Sequence, residues 1–521
     1  MKSTVVRTLL LAALLNVPSF AEKQYDADWA DLNRHEIPDW ALDAKFGIYA
    51  HWGPYSVIGS WEDNPTVPQD GNYYTVGYRG IYSRNADDPR RVAFEKRYGS
   101  VKDGNGYRKV CEDFTAREFD PVQWAELVLE SGAKYAGTCA VHHDGYLMWD
   151  SAITDHCAGK TGPKRDLIAE LFAELEKRDI KTIASFHHAR TYKFFSGWQK
   201  NFSKGTEYAG VDLLQPDAGD YYWFLGEEQQ FAEKRLAITE EFINKYHPSV
   251  IWFDGGAKDN PTDILATFFN MGLRENIETC LHNKDRQFGD TMGVYSYERG
   301  YLRPPMLTHP WEDDATSSVS GSWCWWHGCT YKPASDLILR LCHLTANNGG
   351  LLLSLNPRAD GSFDPEMVEQ LKGIGKWLKQ NGEAIHGSRP WKIQGEGHVD
   401  RTDLRYIWTE KMPHRYATPD VSRFDHTDVR FTTQGNTLYA IQLGIPSEGI
   451  TRIKSLSFKN RVGSENRISA VELVGHGPVA FTRTDDALEV ALPKQLPNDI
   501  ALVFKISVKG QLERLLYQGK R

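Results

Sequence analysis

Apolar and polar positions follow two rhythms along this chain. Short runs rich in β-branched and aromatic residues, bounded by glycine, proline or charge, predict buried strands over 45–52, 135–142, 180–188, 249–254, 277–283, 306–312 and 350–357. Between many of them apolar residues recur three and four positions apart. That spacing predicts amphipathic helices over 121–131, 165–178, 227–246, 335–347 and 365–381, the first with Asp120 as its N-cap and Pro121 in its first turn. Strand and helix in alternation predict a parallel sheet. The predicted class is α/β, with a TIM-like (β/α) barrel. An open doubly wound sheet is the alternative, but no glycine-rich phosphate loop follows the first strand. Residues 63–110 form a long Gly/Asp/Tyr-rich excursion of the kind that builds an active-site wall or lid. After about Arg389 the helical rhythm stops. Short alternating runs at 428–432, 437–443, 468–473, 488–492 and 500–506 predict a C-terminal antiparallel β-sandwich. The expected organisation is a signal segment at 1–21, a barrel catalytic domain at 22–390 and a sandwich at 391–521.

The predicted strands end in groups capable of chemistry: His51; His142, His143 and Asp144; His187 and His188; Asp254; Asn283 with Arg286 beyond it; Glu312; and Asn356. In a (β/α) barrel the functional groups come from the C-terminal ends of several strands. Asp254 is the most telling, because it closes the apolar run Val-Ile-Trp-Phe just before two glycines. A lone carboxylate there also suits a helix cap or a structural ion pair, and a lone histidine suits a satisfied structural role. Five histidines converging on one rim argue for a site. His142, His143, Asp144, His187 and His188 include good metal-ligand types. Imidazoles also exchange hydrogen bonds with sugar hydroxyls, and the expectation is a site with no metal and no cofactor.

Composition narrows the function classes. A formal charge of −8 over 521 residues gives no basic face for nucleic acid. The 16 tryptophans suit stacking on sugar rings as well as core filling. Lys2 and Arg7, the apolar stretch 9–15 and Ser19-Phe20-Ala21 have the form of a secretory signal, too short for a permanent anchor. The expected product is periplasmic or secreted, with no membrane insertion after signal cleavage. The 7 cysteines are odd in number and lack zinc-like pairs. Cys139 and Cys280 fall inside predicted strands and should be buried thiols; a Cys324–Cys329 pairing is open, as is the oligomeric state.

The strand-end residues lie in motifs that resemble the alpha-L-fucosidases of glycoside hydrolase family 29. KFGIYAHWGPYSV (45–57), FDPVQWAELVLESGAKYA (119–136), HHDGYLMWDS (142–151), TGPKRDLIAEL (161–171), VIWFDGG (250–256), NGGLLLSLNPRADGSFDPE (348–366) and IGKWLKQNGEAIHGSRPW (374–391) carry the resemblance across nearly the whole mature chain. It implies retaining, exo-acting hydrolysis of alpha-linked L-fucose from fucosylated oligosaccharides or polysaccharides, by a barrel with a sandwich behind it. Asp254 resembles the family's nucleophile. His51, His142 and His143 resemble the histidines on the sugar hydroxyls, and His187 falls where the family has a tyrosine or histidine. Arg286 resembles the arginine of an Asn-Asp-Arg segment, and Trp323 the aromatic under the sugar's methyl side. The family's Glu-Trp pair after the first strand is missing from 71–83, and Glu62 is a possible substitute.

Retention needs a second carboxyl about 5–5.5 Å from the first. Two glutamates compete for this acid/base role. Strand-end placement favours Glu312; the resemblance favours Glu298, in a loop-like Tyr-Ser-Tyr-Glu-Arg-Gly segment. The missing Glu-Trp pair keeps open a non-catalytic carbohydrate-binding protein on the same scaffold. The excursion at 63–110 keeps open a hydrolase of internal or sulfated fucose linkages.

Overall fold

The computed structural model describes residues 24–61, 80–257, 259–289, 291–298, 308–399 and 421–512. The signal-like segment 1–21 and Glu62 lie outside these residues. Eight strands, β1 (Phe46–Ala50), β2 (Tyr135–Val141), β3 (Lys181–Phe186), β4 (Val250–Phe253), β5 (Cys280–Lys284), β6 (Val294–Glu298), β7 (Trp311–Thr316) and β8 (Gly349–Leu355), close in sequence order into a barrel. Every neighbouring pair is parallel.

Side-chain alternation along each strand sorts residues between the two faces of the sheet. Phe46, Ile48 and Ala50 join the large core beneath the helices, whereas Tyr49 joins a separate cluster with Tyr135, Cys139, Ile183, Val250, Trp252, Cys280, Val294 and Leu352. That second cluster is the barrel's filling. Continuing its period of two towards the strand ends turns apolar residues into polar ones: Val250 and Trp252 lead to Asp254, Ile183 through Ser185 to His187, Cys280 through His282 to Lys284, and Val294 through Ser296 to Glu298. The barrel is therefore filled low down mostly with apolar side chains, around one buried Glu312–His282 pair, and lined with titratable groups at its C-terminal mouth, where such folds do chemistry.

One glycine opens the lower layer. A Cβ on Gly47 would sit 2.1 Å from the Tyr135 ring. The bare backbone lets that ring lie across the barrel and donate its hydroxyl to Glu312 at 2.9 Å. Trp40, on the helix Asp39–Ala44, packs on Tyr135 and covers this end.

The helices Pro121–Ser131 and Pro365–Asn381 have their expected bounds. Two helices were not expected, and one expected strand needs correction. The excursion after β1 carries helices Pro89–Tyr98 and Tyr107–Asp113, each too short for a helical period to stand out. The strand expected at 306–312 begins instead at Trp311, immediately after Pro310, which has no N–H for a ladder. Behind the barrel lie a six-stranded and a three-stranded antiparallel sheet around their own apolar core. They meet the barrel helices at buried contacts, Arg430 Nε donating to His343 Nδ1 at 3.0 Å and Trp377 Nε1 to the Ala501 carbonyl at 3.3 Å.

Candidate active site

Backbone ladders carry the functional side chains past the formal strand ends. Asp254 N–H donates to Phe186 O at 2.9 Å, His187 N–H to Val141 O at 2.8 Å, and His51 N–H to Leu355 O at 3.1 Å. Each residue keeps the inward direction of its strand, so Asp254, His51, His187 and the His142–His143 pair converge. His51 meets His187 and His142 edge-to-face with ring centroids 5.1 and 5.6 Å apart, and His142 stacks over His187 at 4.9 Å. Trp323 packs on His51 at 5.1 Å.

Asp254 is the electrostatic centre. Lys284 Nζ donates to its Oδ1 at 2.5 Å, and the other carboxylate oxygen faces His143 Nε2 at 3.4 Å and His187 Nδ1 at 3.8 Å. Burial alone would push this carboxyl up, but Lys284, His187 and His143 together outweigh it and hold Asp254 well below the usual carboxylate range. Lys284 also donates to Glu298 Oε2 at 3.2 Å and sits 4.9 Å over the Trp252 ring. One buried ammonium therefore bridges two carboxylates at the barrel mouth. Glu298 is the last residue of β6, not a loop residue as expected.

The histidines are held as neutral rings. Burial first, then neighbouring cations and rings, keeps His142 and His187 well below the ordinary histidine value; His143 is lowered too, although Asp254 pulls the other way. His143 Nδ1 bonds the His187 carbonyl, which can only accept, so Nδ1 carries a proton and Nε2 is the nitrogen that faces Asp254. His51 is oriented by Ser354 Oγ at 2.8 Å, and His187 Nε2 by Ser185 Oγ at 3.2 Å. His142 Nδ1 is buried without a protein partner. His142, His143 and His187 bring ligand atoms within 4.8 Å of one another, as do His51, Cys139 and His187, so a metal could be held there. Serine and carbonyl partners on His187 and His143 leave the other nitrogen of each ring on the Asp254 side, an arrangement that equally suits hydroxyl groups.

Other expected residues fall elsewhere. His188 turns away to Thr239 Oγ1 at 3.3 Å, so four of the five rim histidines converge and not all five. Asp144 accepts from Tyr107 OH at 2.6 Å and is pushed up to about 7 by burial. Arg286 lies on the turn beyond β5, half-buried, with φ 59°. The cation on Asp254 is Lys284, which sequence reasoning missed. Its signal was the inward period Cys280–His282–Lys284, hidden by attention to the Asp-Arg that follows. All seven cysteines are free, and Cys139 and Cys280 are buried as expected.

Glu312 occupies the second position of β7, one inward layer below Asp314, whose register partner is Glu298. It forms a buried ion pair with His282 Nδ1 at 2.8 Å and lines a cavity of about 20 Å3 beside Lys45 and Trp40, at the opposite end from Asp254. This correction to its expected strand-end place gives it a structural job. Burial would lower His282, but Glu312 and Cys280 raise it to about 10. A raised histidine contributes stability fully present below its ordinary value of 6.5 and lost as pH climbs through about 10. Lys45, lowered to about 7 by burial and then Arg389, slopes the other way. The clean comparison is therefore Glu312→Gln against wild type in thermal melts. The variant's deficit should be largest below pH 6.5 and shrink as pH rises towards 10; a pH-independent deficit would remove the ion pair from the account.

Comparison with known proteins follows the same lines. The family model described as alpha-L-fucosidase matches residues 12–383, and one described as the alpha-L-fucosidase C-terminal domain matches 424–507. Tissue alpha-L-fucosidase of Rattus norvegicus is 28% identical over 511 residues, covering 94% of this chain and 93% of that protein. The alpha-L-fucosidase of Branchiostoma floridae is 28% identical over 457 residues, covering 85% and 86%. Among solved structures, Thermotoga maritima alpha-fucosidase in complex with fucose has a TM-score of 0.69 at 24% identity, covering 93% of this chain and all of that one (100%). That last likeness is one of fold.

Proposed function

The chain belongs to the alpha-L-fucosidase family, and on that premise we propose that it removes terminal alpha-linked L-fucose from oligosaccharides or glycoconjugates by a retaining double displacement. The observation that carries this reading is Lys284 reaching Asp254 at 2.5 Å and Glu298 at 3.2 Å. Two contacts to one nitrogen bring the bonded oxygens nearer than the roughly 6.5–9.5 Å that leaves room for a water in inverting enzymes, which supports the closer arrangement of retaining ones.

In the first step ionised Asp254 attacks C1 while Glu298 delivers its proton to the leaving oxygen, giving a fucosyl ester. Asp254 loses its negative charge as Glu298 gains one, so the ammonium between them stays opposite one carboxylate charge throughout. In the second step Glu298 takes a proton from water, which attacks C1 and releases Asp254. His142, His143 and His187, held neutral, and His51 beside them each offer a donor or acceptor to sugar hydroxyls, and Trp323 offers an apolar wall. Exclusion of water strengthens all of these contacts. Residues 1–21 support export to the periplasm or beyond.

The experiment is proton NMR of hydrolysis of an aryl alpha-L-fucoside. The alpha anomer should appear first and then mutarotate; the beta anomer appearing first would end the retaining scheme. With Glu298→Gln, an aryl leaving group that needs little protonation should lose about 10²-fold or less. A sugar leaving group should lose up to about 10⁴-fold. Equal losses on both would take the acid role away from Glu298.

A further inference from the structure

Asp144 is a buried carboxyl that the double displacement does not use, one residue beyond the His142–His143 pair. The two histidines and Asp144 form a tight turn, closed by Gly145 N–H donating to the His142 carbonyl at 2.9 Å, with Gly145 at φ 71°. The Asp144 side chain braces the exit of this turn. One of its oxygens accepts from Tyr146 N–H, two residues on, at 3.1 Å, and the other accepts from Tyr107 OH at 2.6 Å. The Asp144 carbonyl takes a further bond from His156 Nε2 at 3.1 Å. Neither Asp144 nor Tyr107 is exposed to solvent.

Tyr107 belongs to a different connection. It opens the helix Tyr107–Asp113 in the excursion after β1 and is itself held from behind. Its N–H donates to Tyr82 OH at 2.9 Å, and the next N–H, that of Arg108, donates to Tyr222 OH at 2.9 Å. Both tyrosine hydroxyls donate in turn to one oxygen of buried Asp212, at 2.9 and 2.7 Å. Asp212 follows the helix Thr191–Phe202 in the connection after β3. Connections from the successive strands β1, β2 and β3 therefore meet at Tyr107, and its hydroxyl reaches the turn that carries the sugar-facing histidines. A buried hydroxyl–carboxyl bond of this length fixes both partners. The placement of His143 Nε2, 3.4 Å from Asp254, depends on that turn.

We propose that Asp144 and Tyr107 are positioning residues for the sugar pocket, and that through their bond the excursion after β1 sets how tightly fucose is held. This rests on the fucosidase reading above. Histidine contacts to sugar hydroxyls are made before the reaction as well as during it, so loss of the bond should appear in KM more than in kcat. The test is L-fucose affinity by calorimetry, with kcat and KM on an aryl alpha-L-fucoside, in variants of the full chain. Tyr107→Phe removes one hydroxyl and leaves the ring in the core. It should weaken fucose binding and raise KM by about tenfold, with kcat within about threefold of wild type. Asp144→Ala should do at least as much.

Asp144→Asn should restore most of the affinity, because its amide keeps an oxygen for Tyr146 N–H and offers an N–H to the Tyr107 oxygen. Burial already lifts Asp144 to about 7 against the pull of the Tyr107 and Tyr146 donors, so an uncharged side chain suits the site. Tyr146→Phe is the control. It deletes a neighbouring hydroxyl that serves the Thr161 carbonyl at 2.5 Å and keeps the N–H on Asp144. It should leave fucose affinity and KM unchanged, even where it lowers the melting temperature as much as Tyr107→Phe does. Wild-type affinity and KM in Tyr107→Phe, or equal losses in Tyr107→Phe and Tyr146→Phe, would reduce the bond to a structural strut and overturn the proposal. A wild-type chain that neither binds fucose nor hydrolyses a fucoside would remove the fucosidase reading itself, and the proposal with it.

Discussion

Asp254→Ala is expected to lower kcat on an aryl alpha-L-fucoside by about 10⁴-fold or more, the size seen when the attacking group of a covalent mechanism is deleted. No neighbour can replace it. Glu298 lies across the Lys284 bridge, and Asp314 accepts from Tyr49 OH at 2.8 Å and is pushed well above the usual carboxylate range by burial, which disfavours the ionised form that an attack needs. The fold should survive, because the ammonium left behind still contacts Glu298. A melting temperature close to wild type would separate loss of chemistry from loss of structure. The space vacated by the carboxylate also admits a small anionic nucleophile. Azide should restore part of the turnover and give a fucosyl azide of inverted configuration, since only one displacement remains. Near-wild-type turnover in Asp254→Ala, or azide rescue with retention, would remove Asp254 from the nucleophile's role.

The parts of this site that could be seen in the sequence are those whose local pattern is unambiguous. Asp254 follows four consecutive apolar residues, a run that is buried on both sides only in the interior of a parallel sheet. The five residues of β6, Val-Tyr-Ser-Tyr-Glu, are few and have glycines close on both sides, so they resembled a loop. Their barrel placement comes from pairing with Lys284 and Asp314 on neighbouring strands, which no local pattern encodes. Glu312 misled for the converse reason. The apolar residues before it suggested a strand ending there, but Pro310 delays the ladder and leaves Glu312 near its start. A shift of a few residues carried a carboxylate from the reactive mouth to the structural floor. Lys284 was hidden because a lysine at a strand end usually reaches solvent. Here the inward phase of β5 buries it between two carboxylates, a fact that depends on three strands at once.

Lys284 also leads to the second large effect. Lys284→Met should reduce kcat/KM by about 10²–10³-fold at neutral pH, the size expected for losing a preorganised charge in a buried site. It should also move the acid limb of the pH profile upward. The sign follows from the balance at Asp254. Burial raises its pKa, and Lys284 is the largest of the groups that lower it. With the ammonium gone, His143 and His187 remain, but both are held mostly neutral by their own burial. Asp254 then holds its proton to higher pH, and activity that requires the carboxylate is lost over a range where wild type still works.

Stability should fall as well. Deleting one member of a buried ion pair costs about 3–5 kcal/mol, less whatever Asp254 recovers by protonating, so the deficit should be smaller at acid pH. Lys284→Arg separates charge from shape. It keeps the cation, so the acid limb should stay near its wild-type position. Its wider planar fork cannot occupy the narrow gap that a single nitrogen bridges at 2.5 and 3.2 Å, so kcat should still drop. If the methionine variant leaves the acid limb unmoved, the ionisation of Asp254 is set by another cation, and the bridging ammonium is a structural strut and not the group that keeps the nucleophile charged.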